Sequence, residues 1–265
     1  MRWQLWLYIV WRVGMRLRVL IVAKTYPAPA KQGVEVSCTQ GITEQGEWVR
    51  LFPVPFRLLE GRQQFRKYEW VEVDARKTGR DDRPESYRID PDTIEVLSGP
   101  LTTADGWKER KAIVYPLRSQ SMEMLQEALL ESHVSLGIIR PKVIEKLVIE
   151  KTESEWTPEQ IAKLAQLSLF EEAPRNALEK IPLDFKYVFR CADSRCRGHS
   201  MRILDWEAAQ SYRSWSDKYG TGWEKKFREK YESWMIQKTD THLFVGTHSR
   251  WRDRWMITGL FYPPL

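Results

Sequence analysis

The chain has 265 residues, 42% of them hydrophobic, with 13 tryptophans and a formal net charge of +6, which is enough apolar content to bury one or two cores. Its 3 cysteines are too few for the disulfide framework of a secreted scaffold, and they favour a reducing, cytoplasmic setting. The charge is uneven: residues 1–34 carry +6 and 181–265 carry +5, whereas 81–180 carry −6, so two basic ends flank an acidic middle.

The opening MRWQLWLYIVWRVG is basic and aromatic, but its apolar run is shorter than a membrane span and lacks a small-residue cleavage site. Met15 offers a second beginning that leads directly into a strand, so residues 1–14 read as an extension outside the fold. RLRVLIVA (16–23) is a β-branched run stopped by Tyr26-Pro27-Ala28-Pro29. Residues 34–42 and 47–52 alternate around TEQGE and predict a hairpin, with Pro53 and Pro55 outside any central ladder. A further strand is expected at 68–75, and another at 93–99 within a polar stretch rich in turn residues.

The centre is more helical. QSMEMLQEALLES (120–132) has helical spacing, KVIEKLVIEK (142–151) favours a strand, and Thr157-Pro158-Glu159 starts a helix expected to run to about Leu169. Residues 171–180 are a candidate linker. The last segment reads as strand 185–191, a cysteine loop, strand 200–205, a long helical stretch broken at Gly220 and Gly222, and strands 242–247 and 254–262 joined by a short turn. These elements predict an α+β protein divided into the extension (1–14), a β domain (15–118), a mostly helical connector with one strand (119–180) and a basic, tryptophan-rich α+β domain (181–265).

CTQGITEQGEWVRLFPVPFR (38–57), with LGIIRPK (136–142), FKYVFRCADSRCRGH (185–199) and GLFYPP (259–264), resembles a group of little-characterised prokaryotic proteins. The C-x-x-G-I…G-x-W-V-R-L pattern is similar to domains built from tandem OB-like barrels, a type often encoded near defence or mobile-element genes. The resemblance implies an OB-like β-barrel at the N-terminal end and a nucleic-acid context, and it transfers no catalytic residue.

Three readings of the chemistry follow. Cys191, Cys196 and His199 lie on one short loop with the ligand types of a zinc knuckle, and the open fourth position falls to His248, His242, Cys38 or a carboxylate. Gly198 would let the loop turn tightly. The leading functional expectation is binding of single-stranded DNA or RNA by cations and aromatic rings. Its candidate residues are Arg50, Arg57, Arg62, Arg66 and Lys67 on the β domain, Lys225, Lys226 and Arg228 on the helical stretch, and Arg250, Trp251, Arg252, Arg254 and Trp255 at the last turn. The alternative is a metal-dependent nuclease in which His199, Asp205, Glu207 and His248 hold a cation that activates water, and against it stands the helix-starting position of Asp205 and Glu207. A third reading makes the exposed aromatics a docking face for other defence proteins. The aromatic series Tyr212, Trp215, Tyr219, Trp223, Phe227, Tyr231 and Trp234 is spaced for one helical face and reads first as core. Phosphate-loop, dinucleotide, nucleophile-elbow and zinc-protease motifs are missing from the sequence.

Overall fold

The computed structural model describes residues 14–30, 35–79, 81–165, 177–248 and 251–265. The first thirteen residues of the expected extension, most of the 171–180 linker and Arg250 lie outside the described residues. No described helix is long and apolar enough to cross a membrane.

The architecture is α+β. Strands β1 (Met15–Lys24), β2 (Glu35–Thr43), β3 (Trp48–Val54), β4 (Trp70–Arg76) and β5 (Ser86–Ile89) close a five-stranded barrel. The circuit runs β1–β2–β3–β5–β4 and back to β1, with β3 and β5 parallel and the other pairs antiparallel. Leu17, Val19 and Ile21 of β1 point into this barrel with Val49, Leu51, Val71 and Val73. Leu20, Val22 and Ala23 point the other way, into a cluster shared with Ile138, Phe244 and Phe261 of the C-terminal half. A strand covered on both faces has to be apolar at nearly every position, which is what RLRVLIVA shows. Pro53, expected outside the ladder, lies within β3 opposite a register irregularity between Ser37 and Thr39, where its missing N–H costs no regular rung.

The C-terminal half repeats the plan. Strands β6 (Leu136–Ile139) and β7 (Val143–Lys151) flank Pro141 and act as one bent strand: β6 pairs with β10 (His242–Thr247), and β7 pairs with β8 (Leu183–Arg190). β8 pairs with β9 (His199–Arg202), which reaches β11 (Trp255–Phe261) through a parallel bridge between Ile203 and Ile257, and β11 returns to β10. The second half thus echoes the first–second–third–fifth–fourth order, with its strands in a three-stranded and a four-stranded sheet linked by that one bridge. Residues 119–180, expected to be a mostly helical connector, supply β6 and β7 to this second circuit. Their pairing partners lie far along the chain, so local pattern alone could not place them.

The helices are α1 (Ala104–Val114), α2 (Met122–Ser132), α3 (Pro158–Ala165), α4 (Trp206–Tyr219), α5 (Trp223–Arg228) and α6 (Met235–Lys238), with a π-helical turn at Glu229–Trp234. The α4–α6 run lies between the third and fourth strands of the second circuit. It places Phe227, Tyr231 and Met235 in one core with Phe185, Tyr187 and Phe189, and Phe185 stacks on Phe227 at 4.2 Å. The aromatic series is thus largely core, with Tyr219 and Trp234 left exposed. The strand expected at 93–99 shrinks to Glu95–Val96, and α1 falls in a stretch that the sequence presents only as polar.

The two halves meet without a spacer. Main chain bridges them at Thr25 and Asp205, and the Tyr26 N–H donates to the Leu204 carbonyl at 2.9 Å. Gly259 allows the closest approach, since a β-carbon there would stand 2.6 Å from that of Ala23.

Candidate functional site

α2 begins with Ser121, whose Oγ accepts the Met124 N–H at 3.2 Å as an N-cap and donates to Asp193 Oδ2 at 3.1 Å. That pair docks the start of α2 on the 191–198 loop, with an Arg195–Glu127 ion pair fastening its rim. Gly198, at φ +96°, turns the chain back into β9 as a glycine readily does.

Four potential ligands converge there. One donor atom each from Glu123, Cys191, Cys196 and His199 lies within 4.8 Å of the other three. His199 Nε2 is 3.1 Å from Glu123 Oε1 and 3.3 Å from Cys196 Sγ. Donors bound to one small cation, at ligand distances of about 2.0–2.3 Å in a tetrahedron, stand roughly 3.3–3.7 Å apart, so the cluster is close to metal-binding dimensions. Burial pushes the Cys191 thiol up to about 12, although the Met122 N–H at 3.4 Å favours the thiolate. Glu123 Oε2 is buried without a hydrogen-bond partner. A divalent cation would supply the missing counter-charge for both groups.

The fourth member is therefore Glu123, and not His248, His242 or Cys38. His242 is buried at the far end of β10, its Nδ1 2.8 Å from the Asp240 carbonyl and its ring stacked on Tyr115. His248 packs on Trp251 with centroids 4.7 Å apart. Cys38 lies on β2 of the first barrel. In the sequence Glu123 looks like an ordinary acidic residue in a first helical turn, and only the tertiary approach of α2 gives it another role.

The nuclease constellation is not assembled. His199 belongs to the thiol cluster, while Asp205 caps α4 through the Ala208 N–H at 3.0 Å and, with Glu207, receives buried Lys67 at 3.0 and 3.3 Å. Burial raises the Asp205 pKa while the Lys67 ammonium opposes it, so these groups form a junction ion cluster and leave no pair of free carboxylates.

The cations proposed for nucleic acid divide sharply. Arg50 is only 3% exposed and donates to the Ser135 carbonyl at 3.0 Å across the junction, so it is no surface contact, and Lys67 is withdrawn in the same way. Arg57 pairs with Glu35, Arg62 with Glu60 and Arg66 with Glu69, the last two with exposed side chains. Lys225 is exposed, Lys226 pairs with Glu229, and Arg228 lies between Glu224 and Glu232. At the last turn Trp251 is 46% exposed beneath the Arg254 guanidinium. Arg252 is drawn onto Asp82, and Trp255 is partly buried, donating Nε1–H to Gln126 at 3.0 Å.

A search of curated proteins gave no match. A model described as a domain of unknown function (DUF8758) matches residues 15–116, the span that holds the first barrel and α1. Residues 118–265, more than half of the chain and the whole of the second circuit, match the model described as a domain of unknown function (DUF8757), and the protein belongs to that family.

Proposed function

We propose that this protein binds single-stranded nucleic acid through two OB-like barrels. The observation behind this reading is the closed five-stranded barrel of the first half, whose strand order the second half echoes in two sheets linked by one bridge, since small Greek-key barrels of the OB type present a strand face and loops to oligonucleotides. Exposed cations near aromatic rings, notably Arg66 and Arg254 with Trp251, supply phosphate and stacking contacts of the kind such binding needs. The sequence resemblance adds a prokaryotic defence or mobile-element setting, and three free thiols suit a reducing cytoplasm.

Zinc is the cation we assign to the Glu123, Cys191, Cys196 and His199 cluster, because two thiolates and an imidazole are a borderline-soft donor set. Four protein ligands close the coordination shell, which suits a structural ion that ties α2 to the β8–β9 loop.

Binding of labelled single strands across a salt series tests the function. A protein that contacts six or more phosphates of a single strand should lose roughly 300-fold or more in affinity between about 50 and 200 mM salt. Failure to bind DNA or RNA strands at the low-salt end would refute the proposal.

A further inference from the structure

A cavity of about 350 Å³ opens at the junction of the two barrels, within the size range of small-molecule sites. Lys67 and Tyr68 reach it from the segment before β4, Trp107 and Arg110 from α1, and Tyr262 from the end of β11. The walls are aromatic, with the Trp107 ring 5.2 Å from Tyr262 and 6.0 Å from Tyr68. The Arg110 guanidinium lies 4.1 Å from the Tyr68 ring centroid, and its Nε donates to the Leu101 carbonyl at 2.9 Å. Arg66, 72% exposed, lines the cavity and pairs with Glu69. Glu207 is the one acid in the lining, but Lys67 also meets Asp205 and Arg66 meets Glu69, so of the three lining cations only Arg110 has no ion pair among the described residues.

Two features of this wall are costly. Tyr68 is 5% exposed, and its hydroxyl is buried without a hydrogen-bond partner. Its backbone is held at φ +68°, and that of Trp107 at +67°, a conformation rare for aromatic residues and concentrated at ligand sites. Two left-handed aromatic residues and an arginine without a carboxylate partner among the described residues thus border one space.

We infer that this cavity binds a phosphorylated nucleoside, its ring against Trp107 and Tyr262 and its phosphate toward Arg66 and Arg110. Such a group could be a free mononucleotide or the 5′-phosphorylated end of a strand. Only the second source rests on the nucleic-acid reading above.

Calorimetric titration of the full chain separates these sources. The probes are adenosine 5′-monophosphate, adenosine, inorganic phosphate, and one short oligonucleotide with and without a 5′-phosphate. The inference expects the mononucleotide or the phosphorylated strand to bind about tenfold or more tightly than its unphosphorylated counterpart. Arg66→Gln should weaken that binding about tenfold while leaving the melting temperature of the free protein nearly unchanged, because the Arg66 side chain is 72% exposed and glutamine can still donate to Glu69. Mononucleotide binding points to a free metabolite, and binding of the phosphorylated strand alone points to a strand end. Equal binding with and without phosphate, or affinities unmoved by Arg66→Gln, overturns the inference. A salt-sensitive, phosphate-indifferent affinity for strands would overturn it while leaving the broader function standing.

Discussion

Lys24 ends β1 among aromatic rings, with its ammonium against Phe56 and 4.6 Å from the Trp206 centroid. Burial lowers its pKa to about 7, Lys67 adds to that, and Glu207, Asp205 and Glu69 oppose it. Between about pH 7 and 10.5 the unfolded chain therefore binds more protons at this site than the folded one, and stability rises with pH through that window. Below it the fold carries the full burden of a buried charge. Lys24→Met should stabilise the protein by roughly 1–3 kcal/mol near pH 6, and the gain should shrink toward pH 10. Urea unfolding at several pH values measures it, and a gain that does not vary with pH contradicts the assignment. Single charged residues were the least legible part of the sequence. Arg50 and Lys67 look like surface cations because charged side chains are seldom buried, and Asp205, the partner of Lys67, lies 138 positions away.

At the scale of elements, α2 and the 191–198 loop depend on each other. If zinc joins them, the purified protein should hold close to one equivalent per chain, measured by plasma emission spectroscopy. Cys196→Ser should remove most of it, and a strong chelator should lower the melting temperature by at least about 5 °C. Metal-free protein with an unchanged melting temperature would contradict this. Three of the four clustered residues were legible, since they share a ten-residue stretch with the loop-forming Gly198. The sequence allowed a carboxylate as the fourth but could not name it, since Glu123 reaches them only after folding. Most strands were visible from alternation or continuous apolar runs, and the helical aromatic face was visible from its spacing. α1 was hidden because Asp105, Gly106 and Trp107 adopt left-handed geometry at its head and few of its residues are buried.

For the whole molecule, the repeated circuit explains why the two family models divide the chain near residue 117 although the folded halves share a core. Leu20, Val22 and Ile42 are covered by Phe244 and Phe261, so the first barrel alone leaves an apolar face in water. A fragment of residues 15–116 should self-associate in size-exclusion chromatography and bind a hydrophobic dye more strongly than the full chain. A monomeric fragment with no added dye binding would show that the shared cluster is dispensable. Four strands of the first barrel were legible, but β5 was hidden in a polar, turn-rich stretch, and the second half was divided between two expected segments because its first and fourth strands, β6 and β10, lie about a hundred residues apart.

The main-chain bridge from Thr25 to Asp205 has one more consequence. Two modules on a flexible tether bind a long ligand with an effective concentration set by tether length, and ordering the tether subtracts from avidity. Here the second module needs no search, because backbone hydrogen bonds have already fixed its distance and angle. On the proposed nucleic-acid reading, a strand that spans both halves would meet a preorganised bivalent surface, and one that must bend differently to touch both could use only one of them.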